Sequence, residues 1–205
     1  MKALIKKLIA YDKIYQIIKD SVLYQIWKKY NGQIANLLYG HPSKHFFVIG
    51  VTGTNGKTTT VNLIHQILND NVAKSVSIST ANIKIGTKDM KNTKKMTSLD
   101  IYDLQSTLAI AKDSGCKIAI LEASSQGIDQ YRFEGVQFDV AVLTNITHDH
   151  LDYHKTMDNY AKSKKKLFNY VLNNKKNNKY AIFPSDDERG RKRFEEMPFD
   201  KKISY

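Results

Sequence analysis

The most informative part of the sequence is the stretch Phe46-Phe-Val-Ile-Gly-Val-Thr-Gly-Thr-Asn-Gly-Lys-Thr-Thr59. It begins with a short apolar run typical of a buried strand, turns at two glycines, and continues into a predicted helix over 57–69. This order is typical of a phosphate-binding loop, in which backbone N–H groups and a helix N-terminus face the phosphates. Lys57 is expected to reach the β and γ oxygens, and Thr58 to ligate the Mg²⁺ carried by the nucleotide. The strict loop pattern has glycine where Val51 stands, so the sequence predicts a variant loop that binds a nucleotide.

Outward from this stretch, apolar runs alternate with helical patterns. This alternation predicts an α/β fold with a mostly parallel sheet. The last residues, Ile203-Ser-Tyr205, resemble the start of another strand, and we therefore expect a C-terminally incomplete domain. The predicted strands cover 75–79, 118–121, 140–143 and 180–183, and the further helices cover 100–113 and 157–172.

Residues 1–45 form a separate predicted segment that is basic and amphipathic. Such a helix suits an anionic membrane surface, with contact through residues 1–40, or packing against the protein or a partner helix. We favour packing, because amphipathicity alone is what any surface helix shows. Asn31-Gly32 and Gly40-His41-Pro42-Ser43 are expected to end the helix. Its apolar positions recur at alternating steps of four and three, at Leu4, Leu8, Tyr11, Tyr15, Ile18 and Val22.

The composition indicates an ordinary soluble globular protein. The 205 residues are 41% hydrophobic and 25% charged. A single cysteine, Cys116, excludes an intramolecular disulfide framework and a cysteine-built zinc site. The sequence contains neither a run of about 18 apolar residues nor a signal-peptide pattern, so a cytoplasmic protein is expected.

The net charge of +12 comes from 32 basic and 20 acidic residues, and nearly all of the excess is lysine. An anionic partner and a compositional bias of the genome explain this excess about equally well. A basic ATPase acting on nucleic acid is disfavoured, because the sequence does not interleave aromatic and basic residues. We therefore expect no nucleic-acid partner.

Glu122 ends the apolar run Ile118-Ala-Ile-Leu-Glu122. In an open α/β sheet the carboxyl ends of the strands face the ligand crevice. A carboxylate at that position can hold Mg²⁺ directly or through water, whereas the alternative is a strand-end cap.

The run Thr144-Asn-Ile-Thr-His-Asp-His-Leu-Asp-Tyr-His154 also follows an apolar strand. It places three histidines and two aspartates within seven positions, which is a metal-binding composition. A zinc hydrolase is the alternative to weigh here, but a dinuclear site needs further downstream ligands and no histidine follows His154.

Taken in order, these segments resemble the Mur ligases, ATP-dependent enzymes that build the peptidoglycan stem peptide. They look most similar to the UDP-N-acetylmuramyl-tripeptide synthetases. The segments that carry this similarity are the phosphate loop, Glu122-Ala-Ser-Ser-x-x-x-Asp-Gln-x-Arg132, Thr144-Asn-x-Thr-x-Asp-His-Leu-Asp-Tyr-His-x-Thr-Met157 and Tyr160-x-x-x-Lys-x-x-Leu-Phe168. Folylpolyglutamate synthases share the loop but not the Ser-Ser…Gln-x-Arg and Asp-Tyr-His runs. The resemblance covers about residues 46–195, and it implies that 46–205 is the central ATP-binding domain.

The resemblance implies a ligase that forms a carbon–nitrogen bond. The γ-phosphoryl of ATP passes to a carboxylate of a UDP-MurNAc-peptide, and the amine of an amino acid attacks the resulting acyl phosphate. The implied ATP-binding residues are Gly53, Thr54, Asn55, Gly56, Lys57, Thr58 and Thr59.

The family's metal ligands and substrate contacts map onto further positions. The implied Mg²⁺ ligands are Thr58, Glu122, His150 and, for a second ion, a carbamylated Lys164. Together with Lys57, the last three are the implied catalytic residues. The implied contacts to the UDP-MurNAc-peptide are Thr97, Ser98, Ser124, Gln130 and Arg132.

The sequence also departs from the family pattern. Gln126 stands where histidine is usual, His148 where arginine is common, and Leu99 where proline is frequent; these weaken the substrate assignment more than the ATP assignment. Long domains expected before and after the central domain are missing from the sequence. We therefore expect a fragment that carries the ATP site, with a C-terminal domain supplied in cis or in trans. The alternative is a non-catalytic nucleotide-binding module that needs partner domains.

Overall fold

The computed structural model describes residues 21–94, 96–147, 151–177, 179–186 and 194–205. These ranges contain an eight-stranded sheet with the order β4-β3-β2-β5-β1-β6-β7-β8. All neighbouring strands are parallel except the pairs β2–β3 and β3–β4, which confirms the predicted α/β fold with a mostly parallel sheet. The strands are β1 (Phe47–Thr52), β2 (Ser75–Ile78), β3 (Asn82–Ile85), β4 (Lys88–Lys91), β5 (Ile118–Glu122), β6 (Val140–Leu143), β7 (Tyr180–Phe183) and β8 (Lys201–Ser204).

The helices of the described ranges lie between these strands in the chain, except α1, which precedes β1. The predicted helices over 57–69, 100–113 and 157–172 are confirmed to within two residues at each end. A 3₁₀ turn, Pro42–His45, leads into β1. The helices are α1 (Val22–Leu38), α2 (Lys57–Asn71), α3 (Ile101–Asp113), α4 (Ser125–Asp129), α5 (Leu151–His154) and α6 (Met157–Leu172).

Strand β1 lies in the middle of the sheet and has helices on both of its faces. Ile49 and Val51 pack in a cluster with Val61 of α2, whereas Val48 belongs to the larger cluster that contains Leu108 of α3 and other residues of α3 and α6. Successive side chains of a strand point to opposite faces, so burial on both faces requires the apolar run of β1. Because β1, β5 and β6 are parallel, their carboxyl ends lie along one edge of the sheet.

The hairpin of β3 and β4 was missed by the sequence reading. All four residues of β4 are exposed, and the run Lys88-Asp-Met-Lys91 has no apolar alternation that indicates a strand. The hairpin turns at Gly86, which has φ +58°, and it extends the sheet antiparallel from β2. The predicted strand at the C-terminal end is confirmed, because β8 pairs in parallel with β7.

The expectation that Asn31-Gly32 ends the first helix is wrong. Helix α1 continues through Gly32 to Leu38 and ends before Gly40, which has φ +69°. Gly32 is required for packing, since a Cβ at this position lies only 2.4 Å from the Cβ of Glu134. Residues 1–20, which carry most of the predicted amphipathic face, lie outside the described residues, so that face and the division at residue 45 stay predictions. Within the described ranges, no helix combines the length and the apolar character needed to cross a membrane.

Phe138 lies in the core between the sheet and α6, and its substitution tests how much this core contributes to stability. The side chain is fully buried, its ring contacts the ring of Phe133, and it lies against Gly50 of β1. We expect Phe138→Ala to lower the free energy of unfolding by about 3–5 kcal/mol in urea titration. Phe47→Ala is the matched control, because Phe47 is 38% exposed. An equal loss in the two variants contradicts the assignment of Phe138 to the core.

His65 predicts a pH dependence of stability. Burial, followed by the nearby charge of Lys84, holds the pKa of this imidazole below its usual value, against the opposing bond to the Gly86 carbonyl. The unfolded chain therefore binds a proton more readily than the folded one, and stability falls as the pH drops through the unfolded pKa of about 6.5. We expect His65→Gln to reduce the difference in unfolding free energy between about pH 7.5 and about pH 5.5. His45→Gln, at an exposed histidine, should leave the difference unchanged.

Candidate active site

The candidate site lies where β1, β5 and β6 end. Thr52 of β1 pairs with Leu143 of β6, and Val51 pairs with Glu122 of β5, so the three strands finish side by side. The chain leaves β1 through residues 53–56 and enters α2 at Lys57. The predicted phosphate loop therefore lies at the carboxyl edge of the sheet, between the ends of its two neighbouring strands.

Gly53 makes the closest approach in the loop. A Cβ on this residue lies 1.8 Å from the Thr144 hydroxyl oxygen and 3.1 Å from the Asn145 backbone nitrogen. Gly56 has φ +78° and is the N-cap of α2, where it provides no side chain to cap the helix. The first turn of α2 also contains no acidic residue, so its N–H groups and dipole present partial positive charge at the loop.

The loop is held in place by the segment that follows β6. The Thr54 N–H donates to the Asn145 carbonyl at 3.0 Å, and the Asn55 N–H donates to the Asn145 side-chain oxygen at 3.0 Å. The Thr144 hydroxyl donates to the Asn55 carbonyl at 2.7 Å. The Thr54 hydroxyl oxygen accepts from the Thr147 N–H at 3.0 Å. The loop conformation is thus specified by residues about ninety positions away in the chain.

Two ammonium groups meet at the Gly53 carbonyl. The Nζ of Lys57 donates to it at 3.1 Å and to the Thr54 carbonyl at 2.7 Å. The Nζ of Lys164, on α6, donates to the same Gly53 oxygen at 2.7 Å and lies 4.1 Å from the centre of the Tyr160 ring. Lys164 is 1% exposed. Two cations this close together favour an anion at the loop.

Glu122 is the acidic member of the site and is 3% exposed. Its carboxylate accepts from the Thr58 hydroxyl at 2.9 Å and from the Thr80 N–H at 2.8 Å, both on Oε2. Its other oxygen accepts from the Thr80 hydroxyl at 3.1 Å. These bonds orient the carboxylate toward the first turn of α2.

The oxygen atoms of Thr58 and Glu122 fit a magnesium site. Mg²⁺ binds through one or two protein oxygens and completes its coordination with water and nucleotide phosphates. A threonine hydroxyl in contact with a buried carboxylate, next to a phosphate loop, supplies that donor set. His150, another predicted ligand, lies outside the described residues, and the Lys164 ammonium donates to the Gly53 carbonyl.

The predicted substrate residues meet next to Glu122. The Ser98 and Ser124 hydroxyls are 2.9 Å apart, and Ser98 is also bonded to the Glu122 carbonyl. The Arg132 guanidinium donates to the Ser98 carbonyl and, twice, to the Gln130 side-chain oxygen. Four of the five predicted residues thus form one connected cluster. Thr97 is half-buried directly before Ser98, and Thr59 of the loop lies exposed in the first turn of α2.

An open cavity of about 430 Å³ extends from this cluster to the N-terminal helix. Gln130 and Arg132 form part of its wall, and Lys28 and Asn31 of α1 form another part. The Tyr102 hydroxyl, also in the wall, donates to the Asn31 side-chain oxygen at 2.6 Å. Helix α1 therefore borders the cavity next to Arg132.

His154, the last histidine of the run with a metal-binding composition, packs against other side chains of the protein. Its Nε2 is 2.9 Å from the Ser125 hydroxyl oxygen, its Nδ1 is 3.7 Å from an Asp129 carboxylate oxygen, and its ring packs beside Tyr160. His148 and Asp149, like His150, lie outside the described residues. In the ranges that the structure describes, His, Cys, Asp and Glu form no group of three or more able to hold a metal ion.

Sequence reasoning missed three residues that shape the site. Thr80 orients Glu122 with its N–H and its hydroxyl. Tyr160 donates from its buried hydroxyl to the Thr54 hydroxyl oxygen at 3.1 Å, and Asn145 holds the loop. Thr80 directly follows the end of a predicted strand, the same signal that identified Glu122, so that signal was present and unused.

The sequence and fold were compared with those of known proteins. A model of the Mur ligase middle domain matches residues 51–205. A UDP-N-acetylmuramoyl-L-alanyl-D-glutamate--2,6-diaminopimelate ligase of Bacillus cereus is 42% identical over 158 residues, which cover 75% of this chain and 31% of the relative. The chain thus spans about a third of the length of the curated relatives it matches.

Solved structures give the same result for the fold. A UDP-N-acetylmuramoyl-L-alanyl-D-glutamate--2,6-diaminopimelate ligase superposes with a TM-score of 0.71 at 30% identity, covering 89% of this chain and 36% of that one. A MurF ligase from Thermotoga maritima, solved in complex with ADP, superposes with a TM-score of 0.57 at 23% identity, covering 83% of this chain and 35% of that one.

The close approach at Gly53 predicts a large difference between the two loop glycines. We expect Gly53→Ala to lower the free energy of unfolding by about 3 kcal/mol, because the new Cβ overlaps Thr144 and forces the loop apart. Gly56→Ala is the matched control: its φ is also positive, but a Cβ there meets nothing within 4 Å. A loss of only about 1 kcal/mol is expected in the control.

Urea titration measures both losses. The double variant Gly53→Ala with Thr144→Ala should recover part of the loss, since it removes the nearest clashing atom. Equal losses for the two glycine variants contradict the close packing of the loop against the end of β6.

Proposed function

Since the chain belongs to the Mur ligase family through its middle domain, we propose that it carries the ATP site of an amide-forming ligase. The proposed reaction joins a carboxylate of a UDP-MurNAc-peptide to the amine of an amino acid. In the first step the carboxylate oxygen attacks the γ-phosphorus of ATP, the bond to the β-phosphate oxygen breaks, and ADP leaves. In the second step the amine attacks the acyl carbon of the acyl phosphate, and inorganic phosphate leaves with the former carboxylate oxygen.

The observation that carries this proposal is the meeting of three groups at one sheet edge. The phosphate loop with Lys57, the Thr58–Glu122 oxygen pair and the Arg132 cluster are linked through Glu122, whose side chain bonds Thr58 and whose carbonyl bonds Ser98. A ligase that activates a carboxylate with ATP needs a phosphate site and a carboxylate site next to each other. Glu122 provides that connection in the chain.

In this proposal the residues of the loop position the triphosphate. The N–H groups at the start of α2 bind phosphate oxygens, and Lys57 exchanges its carbonyl partners for the β and γ oxygens. Thr58 and Glu122 hold Mg²⁺, which neutralises charge on the phosphoryl oxygens when it is bound. The MurF ligase of Thermotoga maritima, which has the same fold, was solved with ADP.

Arg132 is the proposed carboxylate or phosphate contact of the peptide substrate. Its guanidinium is oriented by Ser98 and Gln130, and a planar guanidinium binds two oxygens of an anion at once. Ser98 and Ser124 add hydroxyl groups between Arg132 and Glu122. The cluster thereby directs a bound carboxylate toward the phosphate loop.

Lys164 is the proposed site of carbamylation. The buried ammonium first loses a proton, and the resulting amine then adds CO₂ and releases a second proton to form a carbamate. This replaces a cation by an anion next to Gly53, which suits a second Mg²⁺ among the phosphates. In that state the Lys164 ammonium no longer donates to the Gly53 carbonyl. Mass spectrometry of the intact chain in bicarbonate buffer detects the added group.

The ATP site is tested by calorimetry of ATP binding with and without Mg²⁺. We expect Mg²⁺-dependent binding by the wild type, and binding about thirtyfold or more weaker in Lys57→Ala, because a charged hydrogen bond to phosphate contributes about 2 kcal/mol. Lys162→Ala is the matched control, since Lys162 is an exposed lysine on α6.

The two variants separate a specific site from general attraction to a basic protein. Equal weakening of ATP binding in Lys57→Ala and Lys162→Ala would indicate nonspecific charge attraction and would overturn the proposed site. Absence of binding by a wild type with a cooperative unfolding transition would overturn it as well.

A further inference from the structure

Helix α1 exposes a continuous apolar face. Eight large hydrophobic side chains of this helix are between 45% and 79% exposed. Single exposed hydrophobic residues are ordinary, but a contiguous apolar patch marks an interaction surface. We call these eight residues the apolar face of α1: Val22, Leu23, Ile26, Trp27, Tyr30, Ile34, Leu37 and Leu38.

The apolar face points away from the rest of the protein. The buried residues of α1 are Gly32, Ala35 and Asn36, which are small or polar. Each residue of an α-helix advances by about 100°, so these three lie on the side opposite the apolar face. The helix therefore packs on the protein through its small side and turns its large apolar side chains outward, the reverse of an ordinary surface helix.

Specific contacts hold α1 in this orientation. The backbone of Gly32 lies against the Glu134 side chain, and the Gln33 side-chain amide donates to the same carboxylate at 3.2 Å. Asn31 accepts from the Tyr102 hydroxyl. Rotation of the helix to bury its apolar face breaks these contacts and places larger side chains where only glycine fits.

The composition of α1 matches an anionic lipid surface. The helix contains two lysines, Lys28 and Lys29, and no aspartate or glutamate. Its apolar face includes Trp27 and Tyr30, aromatic residues that favour the boundary between lipid headgroups and acyl chains. The residues before it in the sequence add five lysines and only two aspartates, which extends the positive charge.

We propose that α1 docks the protein on an anionic membrane surface, lying in the interface with its apolar face in the lipid. Interfacial helices combine such an apolar face with lysine-rich flanks. A second copy of the chain is less suited to this surface, because it brings a second pair of lysines to the contact while α1 contains no aspartate or glutamate to pair with them.

The full chain contains one tryptophan, Trp27, which reports directly on the proposed contact. We expect its emission to shift to the blue when vesicles of phosphatidylcholine and phosphatidylglycerol are added, and the protein to float with them. The protein should bind pure phosphatidylcholine vesicles at least about tenfold more weakly than the anionic vesicles, because two lysines flank the face. Lys28→Gln with Lys29→Gln should reduce this preference.

A matched pair of variants tests the face itself. Ile34→Gln with Leu38→Gln removes two side chains of the apolar face, which are 51% and 69% exposed. Leu63→Gln with Ile67→Gln removes the same residue types at the same spacing on α2, where they are 54% and 60% exposed. We expect the α1 variant to bind vesicles at least about tenfold more weakly, and the α2 variant to bind like the wild type. Unfolding curves of both variants establish that they fold.

Three results would overturn the proposal. The first is a wild type that gives no blue shift and no flotation. The second is equal binding by the α1 and α2 variants. The third is a wild type that forms a dimer in sedimentation velocity and binds no vesicles, together with an α1 variant that is a monomer. That result assigns the face to a second copy. Docking through α1 does not depend on the ligase chemistry, and ATP binding by the same variants separates the two proposals.

Discussion

The Gly53 carbonyl is the point on which the site depends. It accepts from two lysines, one in the adjacent helix α2 and one in α6, which is 111 positions further along the chain. The same residue lies so close to Thr144 that a side chain cannot be accommodated. The loop, the end of β6 and α6 are therefore positioned relative to one another by a single peptide unit. Any change that separates them alters the phosphate site and the environment of Lys164 together.

Positively and negatively charged groups occupy separate positions at this edge of the sheet. The helix N-terminus, Lys57 and Lys164 surround the loop, whereas Glu122 lies across from it and is held by Thr58 and Thr80. Phosphoryl transfer is accelerated chiefly by positioning and by stabilising charge. An arrangement with cations around the loop and a single oriented carboxylate beside it suits a nucleotide that brings its own divalent cation. The Arg132 cluster, the proposed second anion-binding group, is connected to Glu122 through Ser98.

Helix α1 links this site to the outer surface. Lys28 and Asn31 line the cavity that reaches Arg132, and Ile34 and Leu38 lie exposed further along the same helix. The small residues Gly32 and Ala35 face the protein. A helix built in this way places the cavity beside Arg132 and an apolar surface on the same element, so the proposed docking at a membrane brings this cavity close to the lipid surface.

Local pattern was sufficient for the parallel strands, the main helices and the phosphate loop, because alternating apolar runs, glycines and strand-end polar residues are properties of neighbouring positions. It also proposed Glu122 and Arg132 as site residues, and the structure connects the two through Ser98. It failed at the β3–β4 hairpin, whose second strand is wholly exposed, and at Gly32, where a packing glycine resembled a helix end.

Three features become visible only in the tertiary structure: the pairing of Thr80 with Glu122, the shared bond at Gly53 and the outward face of α1. The physical reason is common to them all. Each depends on which distant segment lies opposite, and a sequence pattern records periodicity within an element but not the neighbour against which the element packs.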